Sequence, residues 1–390
     1  MQAELIADCV HCGFCLPTCP TYSLWHEEMD SPRGRIYLMS GLVDGTLPLS
    51  DTVVEHFDRC LGCMACVTAC PSGVQYDRLI ESTRAHVEAH HRRGPSDRLL
   101  RALVFAVFPH RRRLRAALAF RKLPAPGPLA PLRQIAPPWA DAKWPPEHVP
   151  GPGASVALLA GCVQSVVFGD VNRATARVLA ADGFDVHVPR AQQCCGALHA
   201  HAGRLVEGVA RARALARALG GHDYIVTNAA GCGSHLKDHG VENVVDVSEL
   251  LADPLREHAE RKPLAVRVAF QDSCHLKHAQ RLDAAPRAAL AQIPGLTLLE
   301  PAEQEICCGS AGIYNVVQPD AASELGDRKA ANVLATEPDA YASGNPGCLV
   351  QVTAALRRAR RPLPAFHPVE LVDASIRGLD PTRLLEEARR

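Results

Sequence analysis

Two stretches, Cys9-Val-His-Cys12-Gly-Phe-Cys15-Leu-Pro-Thr-Cys19-Pro20 and Cys60-Leu-Gly-Cys63-Met-Ala-Cys66-Val-Thr-Ala-Cys70-Pro71, decide how this chain is read. Each sets three cysteines two residues apart, then a fourth after three residues, then proline. Three thiolates so spaced wrap one face of an iron–sulfur cube, and the fourth points away toward a second cube. Structural zinc, the competing reading, takes its four cysteines as two C-x2-C knuckles. A third cysteine at the same spacing and a proline after the fourth fit zinc badly.

Crossed ligation of the kind used by two-cluster ferredoxins then assigns Cys9, Cys12, Cys15 and Cys70 to one 4Fe–4S cluster, and Cys60, Cys63, Cys66 and Cys19 to the other. Here 40 residues separate Cys19 from Cys60, where a small ferredoxin has a short turn. That insert contains SPRGRIYLMSGLV and TVVEHFDRC, both with helical periodicity. The expected N-terminal unit, residues 1–95, is therefore an α-helical ferredoxin domain.

The remaining eight of the 16 cysteines divide evenly. Cys162, Cys194, Cys195 and Cys232 form one set, and Cys274, Cys307, Cys308 and Cys348 another. Equivalent members stand 112, 113 and 116 positions apart, a duplication at domain scale. Around them strands alternate with helices, which predicts parallel sheets. SVALLAGC, FDVHVP and DYIVTNAAGC read as strands of one unit, AVRVAFQDSC and LTLLEP as strands of the next. Sites in such folds gather at the carboxyl ends of strands, and the cysteines of both sets fall there. Each set is a candidate metal or cluster site. Gly196 and Gly309, after the cysteine pairs, suggest a backbone brought close to a bulky cofactor. His199, His201, His275 and His278 are alternative ligands or proton carriers, although a lone histidine is more often a surface or core residue. The fold class is thus α/β multidomain: the helical two-cluster domain, then duplicated cysteine-rich domains over residues 154–262 and 263–390.

Between these units lies a connector, residues 96–153. Residues 98–122 are apolar and basic, with no acidic residue between Asp97 and Asp141. They predict helices broken at Pro109 and packed on a neighbouring domain; a membrane-surface or partner-docking segment is the alternative. Residues 124–153 are proline-rich and read as an extended linker.

Composition narrows the function classes. Lys and Arg number 42 against 42 Asp and Glu, so the charge surplus that nucleic-acid binding needs is missing. No apolar run approaches the roughly 20 residues that span a bilayer, and the N-terminus lacks the basic-then-apolar pattern of a secretory signal. The chain is expected in the cytoplasm, where thiols stay reduced and sixteen cysteines call for metal rather than disulfides. Neither G-x-G-x-x-G after a strand nor G-x-x-x-x-G-K-[ST] occurs, so no nucleotide or flavin site is recognisable. An electron-transfer subunit, with substrate chemistry on a partner, is the reading that remains.

The two ferredoxin runs, the intervening MDSPRGRIYLM and the two CCG-centred repeats together resemble the iron–sulfur subunit of glycolate oxidase (glycolate dehydrogenase) over essentially the whole chain. The resemblance implies a non-flavin subunit of an oxidoreductase complex with two 4Fe–4S clusters and a further cluster or metal in each repeat. FAD would sit on partner subunits that oxidise glycolate to glyoxylate. Electrons would pass on to a membrane quinone or another acceptor; on the alternative reading of residues 98–122, that stretch would make peripheral contact with the inner face of the plasma membrane. Iron–sulfur subunits of glycerol-3-phosphate and lactate dehydrogenase complexes are similar in layout. Heterodisulfide reductase carries the same repeat for noncubane clusters and thiol–disulfide chemistry, with each repeat ending in C-x2-C. Here those positions read Cys232-Gly-Ser-His235 and Cys348-Leu-Val-Gln351, a departure that removes the last cysteine from both.

Overall fold

The computed structural model describes residues 3–120 and 143–389. The end of the basic stretch and most of the proline-rich linker, residues 121–142, lie outside the described residues.

The N-terminal domain is helical. Its insert forms helices Pro32–Val43 and Asp51–Arg59, followed after the second cysteine run by Tyr76–His90. Serine starts the first two: the Gly34 amide donates to Ser31 Oγ at 3.0 Å and the Val53 amide to Ser50 Oγ at 3.4 Å, satisfying donors that a helix N-terminus leaves free. Proline at the first position of the first helix costs nothing there. Gly34 is dictated by packing, since a Cβ would stand 1.9 Å from the Glu28 carbonyl oxygen. The SPRGR motif is therefore a helix start pressed onto the turn Glu28–Asp30. Met39, Phe57, Leu79 and Ile80 are buried among these helices and make the domain core.

The cysteine-rich half contains two sheets. The first has β1 (His148–Val149), β2 (Ser155–Leu159), β3 (Asp185–His187), β4 (Tyr224–Thr227) and β5 (Val244–Asp246), in the order β1-β3-β2-β4-β5. The second has β6 (Arg267–Phe270), β7 (Thr297–Leu299), β8 (Ala340–Ala342) and β9 (Ala365–Phe366), in the order β7-β6-β8-β9. All pairings are parallel except β1 with β3, which is antiparallel. This corrects the expectation of purely parallel sheets and of a linker running to residue 153. His148 and Val149 belong to the first sheet, held by backbone pairing that side-chain periodicity does not reveal. The two fourth strands, β5 and β9, were also missed, being only three and two residues long.

The two repeats bury one core between them. Helix Gly169–Ala181 of the first packs on Pro368–Arg377 of the second, and Val247–Leu251 of the first on Ala284–Ala291 of the second. Leu158 in β2 and Phe270 in β6, which occupy equivalent positions, are both fully buried in this shared core. The basic stretch forms helices Pro95–Val107 and Arg111–Ala119. Leu100, Val104 and Phe105 pack on Ala202, Ile313 and Val316, one residue from the first repeat and two from the second. Among the described residues no helix is long and apolar enough to cross a membrane.

Candidate iron–sulfur centres

Cys9, Cys12, Cys15 and Cys70 line one cavity, with an open volume of about 410 Å³, and Cys66 stands at its edge. Cys19, Cys60, Cys63 and Cys66 line a second, of about 310 Å³. The fourth cysteine of each run thus lines the cavity of the other run. The two cavities share Pro32, Cys66 and Tyr76 as a common wall. They differ in exposure: Cys12 is exposed between exposed Val10 and Phe14, whereas Cys19, Cys60, Cys63 and Cys66 are buried.

The second cavity sits in a field of buried cations. Arg35 is 1% exposed, and its guanidinium donates to the Asp30 carboxylate at 3.2 Å, to Thr21 Oγ1 at 3.1 Å and to the His56 carbonyl at 2.6 Å. Asp30, itself 0% exposed, also takes Arg59 at 2.8 Å, so one buried carboxylate faces two guanidiniums. Arg84 donates to the Cys60 carbonyl. Burial by itself would push the Cys60 thiol up; Arg35 and Arg84 outweigh it and hold the group below its ordinary value. Cys63 and Cys66 have no such neighbour, and burial pushes them well up, as it pushes Cys15 to about 11. Four sulfurs around each opening, with surplus positive charge beside one, form a soft, all-thiolate donor set that fits a 4Fe–4S cluster. Sequence reading missed Arg35, Asp30 and Arg84; the signal for the first two was the MDSPRGRIYLM segment.

In each repeat the four sulfurs come together across about 70 residues of chain. Cys162 Sγ lies 3.6 Å from Cys194 Sγ, and Cys195 Sγ 3.2 Å from Cys232 Sγ. In the second repeat Cys274 Sγ lies 3.9 Å from Cys307 Sγ. Hydrogen bonds from these first cysteines, then from the adjacent one, pull Cys194 and Cys307 well down; Cys195 and Cys308 are pushed up by the same contacts. The strands are shorter than expected. β4 and β8 end at Thr227 and Ala342, and Cys232 and Cys348 lie in the first turns of helices Ala230–Asp238 and Pro346–Arg358.

The glycines after the pairs are required by packing. A Cβ on Gly196 would meet the Gly208 carbonyl oxygen at 2.2 Å, and one on Gly309 the Ala322 carbonyl oxygen at 2.7 Å; both glycines also have positive φ, +100° and +89°. The positions that depart from C-x2-C bind the same two carbonyls: His235 Nε2 lies 3.3 Å from the Gly208 oxygen, and Gln351 Nε2 donates to the Ala322 oxygen at 2.6 Å. Where the related pattern has a cysteine, each repeat has a side chain tied to the preceding helix.

His201, His275 and His278 make contacts between domains, while His199 lies beside Cys194 within the first repeat. His275 Nε2 meets the Gly62 carbonyl at 3.0 Å, and His278 Nδ1 meets Thr68 Oγ1 at 2.7 Å. Both therefore dock the second cysteine run onto the second repeat. His201 lies beside Glu81 of helix Tyr76–His90, with Nδ1 3.7 Å from the carboxylate, and His199 packs its ring on Phe105 at 5.0 Å. This docking sets Leu61 of the ferredoxin run in the wall of a cavity of about 470 Å³ lined by Cys274, Cys307, Cys308 and Cys348. Cys63 and Cys307 share one buried apolar cluster.

A helical domain with two cysteine-lined cavities, joined to a face-to-face pair of α/β cysteine-rich units, defines a class. Residues 5–74 match the 4Fe-4S dicluster domain family, and residues 156–237 and 268–353 the Cysteine-rich domain family. The chain is 36% identical to the glycolate oxidase iron-sulfur subunit of Escherichia coli, over 96% of this chain and 95% of that protein. It is 34% identical to the probable glycolate oxidase iron-sulfur subunit of Bacillus subtilis, over 92% and 90%. It belongs to this family of glycolate oxidase iron-sulfur subunits. A hypothetical protein from Helicobacter pylori shares the fold, with a TM-score of 0.60 at 10% identity, over 91% of this chain and 69% of that one.

Proposed function

We propose that this chain is the electron-transfer subunit of a flavoprotein complex that oxidises glycolate to glyoxylate. Cys9, Cys12, Cys15 and Cys70 hold one 4Fe–4S cluster, and Cys60, Cys63, Cys66 and Cys19 the other. Each cysteine-rich repeat holds a further cluster or metal ion. Clusters at these places supply one-electron transfer between a two-electron flavin on a partner chain and a quinone or other acceptor. The observation that carries this reading is the row of sulfur sites: an exposed one at Cys12, a buried one behind the shared Cys66, and Cys307 beside Cys63.

The chain's own residues supply what such a row needs. Arg35 and Arg84 set positive charge against the buried site. His275 and Thr68 fix the ferredoxin domain on the second repeat. The exposed apolar rim of Val10 and Phe14 leaves the first site open to the flavin-bearing partner. Anaerobic co-purification with iron counting tests the reading. About eight iron per chain are expected from the N-terminal domain, with reducible paramagnetic signals and no glycolate oxidation by the chain alone. Zinc with little iron, or turnover without a flavoprotein, would overturn it.

A further inference from the structure

Beside the β1 edge of the first sheet stand three imidazoles and a carboxylate. His148 of β1 and His187 of β3 are direct partners in the antiparallel register. Their rings stack at 4.4 Å with an interplanar angle of 18°. Asp185 lies two residues before His187, hence on the same face of β3. Its carboxylate spans the pair, with Oδ1 2.8 Å from His148 Nε2 and Oδ2 2.7 Å from His187 Nε2. The three ligand atoms lie within 4.8 Å of one another. His222, just before β4, packs its ring 4.6 Å from that of His187.

We infer that His148, Asp185 and His187 form a binding site for a divalent transition-metal ion of the zinc class, separate from the iron–sulfur centres. Two imidazoles with one carboxylate suit zinc and its neighbours, whereas calcium and magnesium require oxygen ligands throughout. Strands hold all three side chains, and both nitrogens already converge on one carboxylate, so little ordering remains for the ion to impose. Ligation needs a free lone pair on Nε2. Each neutral imidazole meets this by carrying its proton on Nδ1; the two hydrogen bonds from Nε2 to Asp185 are then given up, and bonds from both nitrogens and the carboxylate to the ion replace them. Partial exposure, 51% for the His148 side chain, leaves a coordination position for water.

The site has a structural meaning. β1 touches the sheet only through β3, over two residues, and it is where the chain enters the first repeat after the linker. An ion shared by β1 and β3 clips that strand in place.

The test uses full-length protein with its clusters loaded anaerobically, so that iron occupies the cysteines. Zinc sulfate is added, free metal is removed, and zinc and iron are counted for the wild type, for His148→Ala/His187→Ala and for Asp185→Asn. The wild type is expected to retain about one zinc more than either variant at equal iron, with zinc-edge X-ray absorption showing nitrogen and oxygen neighbours near 2.0 Å. Equal zinc retention in wild type and Asp185→Asn, or a shell of sulfur alone near 2.3 Å, overturns the inference. Equal iron in the variants shows that they fold.

Discussion

The two cysteine-rich repeats share a strand order, a cysteine pattern and even the carbonyl that receives His235 in one and Gln351 in the other, yet they stand in different surroundings. The second meets the ferredoxin domain through His275, His278 and Arg328, whose Nη1 donates to Ser23 Oγ at 2.7 Å. The first meets that domain at another place, where Arg84 donates to the His201 carbonyl at 2.9 Å and Glu81 lies beside His201, and Phe105 and His199 cover it near Cys194. Duplication supplied two scaffolds that bury each other's apolar faces; docking of one further domain, with its second cysteine run against the second repeat and helix Tyr76–His90 against the first, made the pair asymmetric. Position relative to the N-terminal domain separates the two.

That asymmetry is open to direct attack. Replacing Cys63 by Ser removes a ligand from the buried N-terminal site, and iron is expected to fall by about four per chain. Within the repeats, Cys307→Ser is expected to alter the paramagnetic signal of the neighbouring N-terminal cluster, and Cys194→Ser to leave it unchanged. Identical effects of the two on that signal would erase the distinction.

The shared core should be indifferent to which repeat is cut. Leu158→Ala and Phe270→Ala, at equivalent buried positions, are each expected to cost about 3–5 kcal/mol in denaturant melts of the loaded protein. A cost under about 1 kcal/mol in one repeat alone would show that the halves do not stabilise each other.

Glu81 sits where the ferredoxin domain meets the first repeat, near His201 and His239. Burial, followed by Asp238 and Asp77, raises its carboxyl from 4.5 to about 7. The folded protein therefore holds this proton more tightly than the unfolded chain. Wild-type stability should fall as pH rises from 4.5 to about 7, and this contribution should then level off. Glu81→Gln removes that slope, and above pH 7 it is expected to be the more stable form by about 3 kcal/mol. Parallel melting curves across the window would contradict the assignment.

The smallest effect belongs to the symmetric helix starts after β5 and β9. Asp246 and His367 each form a reciprocal cap with the glutamate three residues on, Glu249 and Glu370. Alanine at either position is expected to cost about 1 kcal/mol, the same in both repeats, by thermal melting.

Much of this architecture is written locally. The cysteine spacings announce two paired sites because the reach of a three-residue step is fixed by covalent geometry. Ser31, Pro32 and Gly34 announce a helix start for the same reason. The duplication is legible because equivalent cysteines recur at nearly constant separation. β1, β5 and β9 escaped because two or three residues carry no periodicity, and what holds them is pairing to strands distant in the chain. Gly196 and Gly309 were legible as special glycines, but only packing shows that the carbonyl of Gly208 or Ala322, in a later helix, leaves no room for a Cβ there. Sequence alone therefore determined which residues could bind metal and the kind of units that carry them, since ligand chemistry and periodicity are local properties. Tertiary structure alone decided that Cys63 adjoins Cys307, that Arg35 and Arg84 charge the buried site, and that His148 meets His187 and Asp185. Those contacts join residues far apart in the chain, and only burial and docking bring them together.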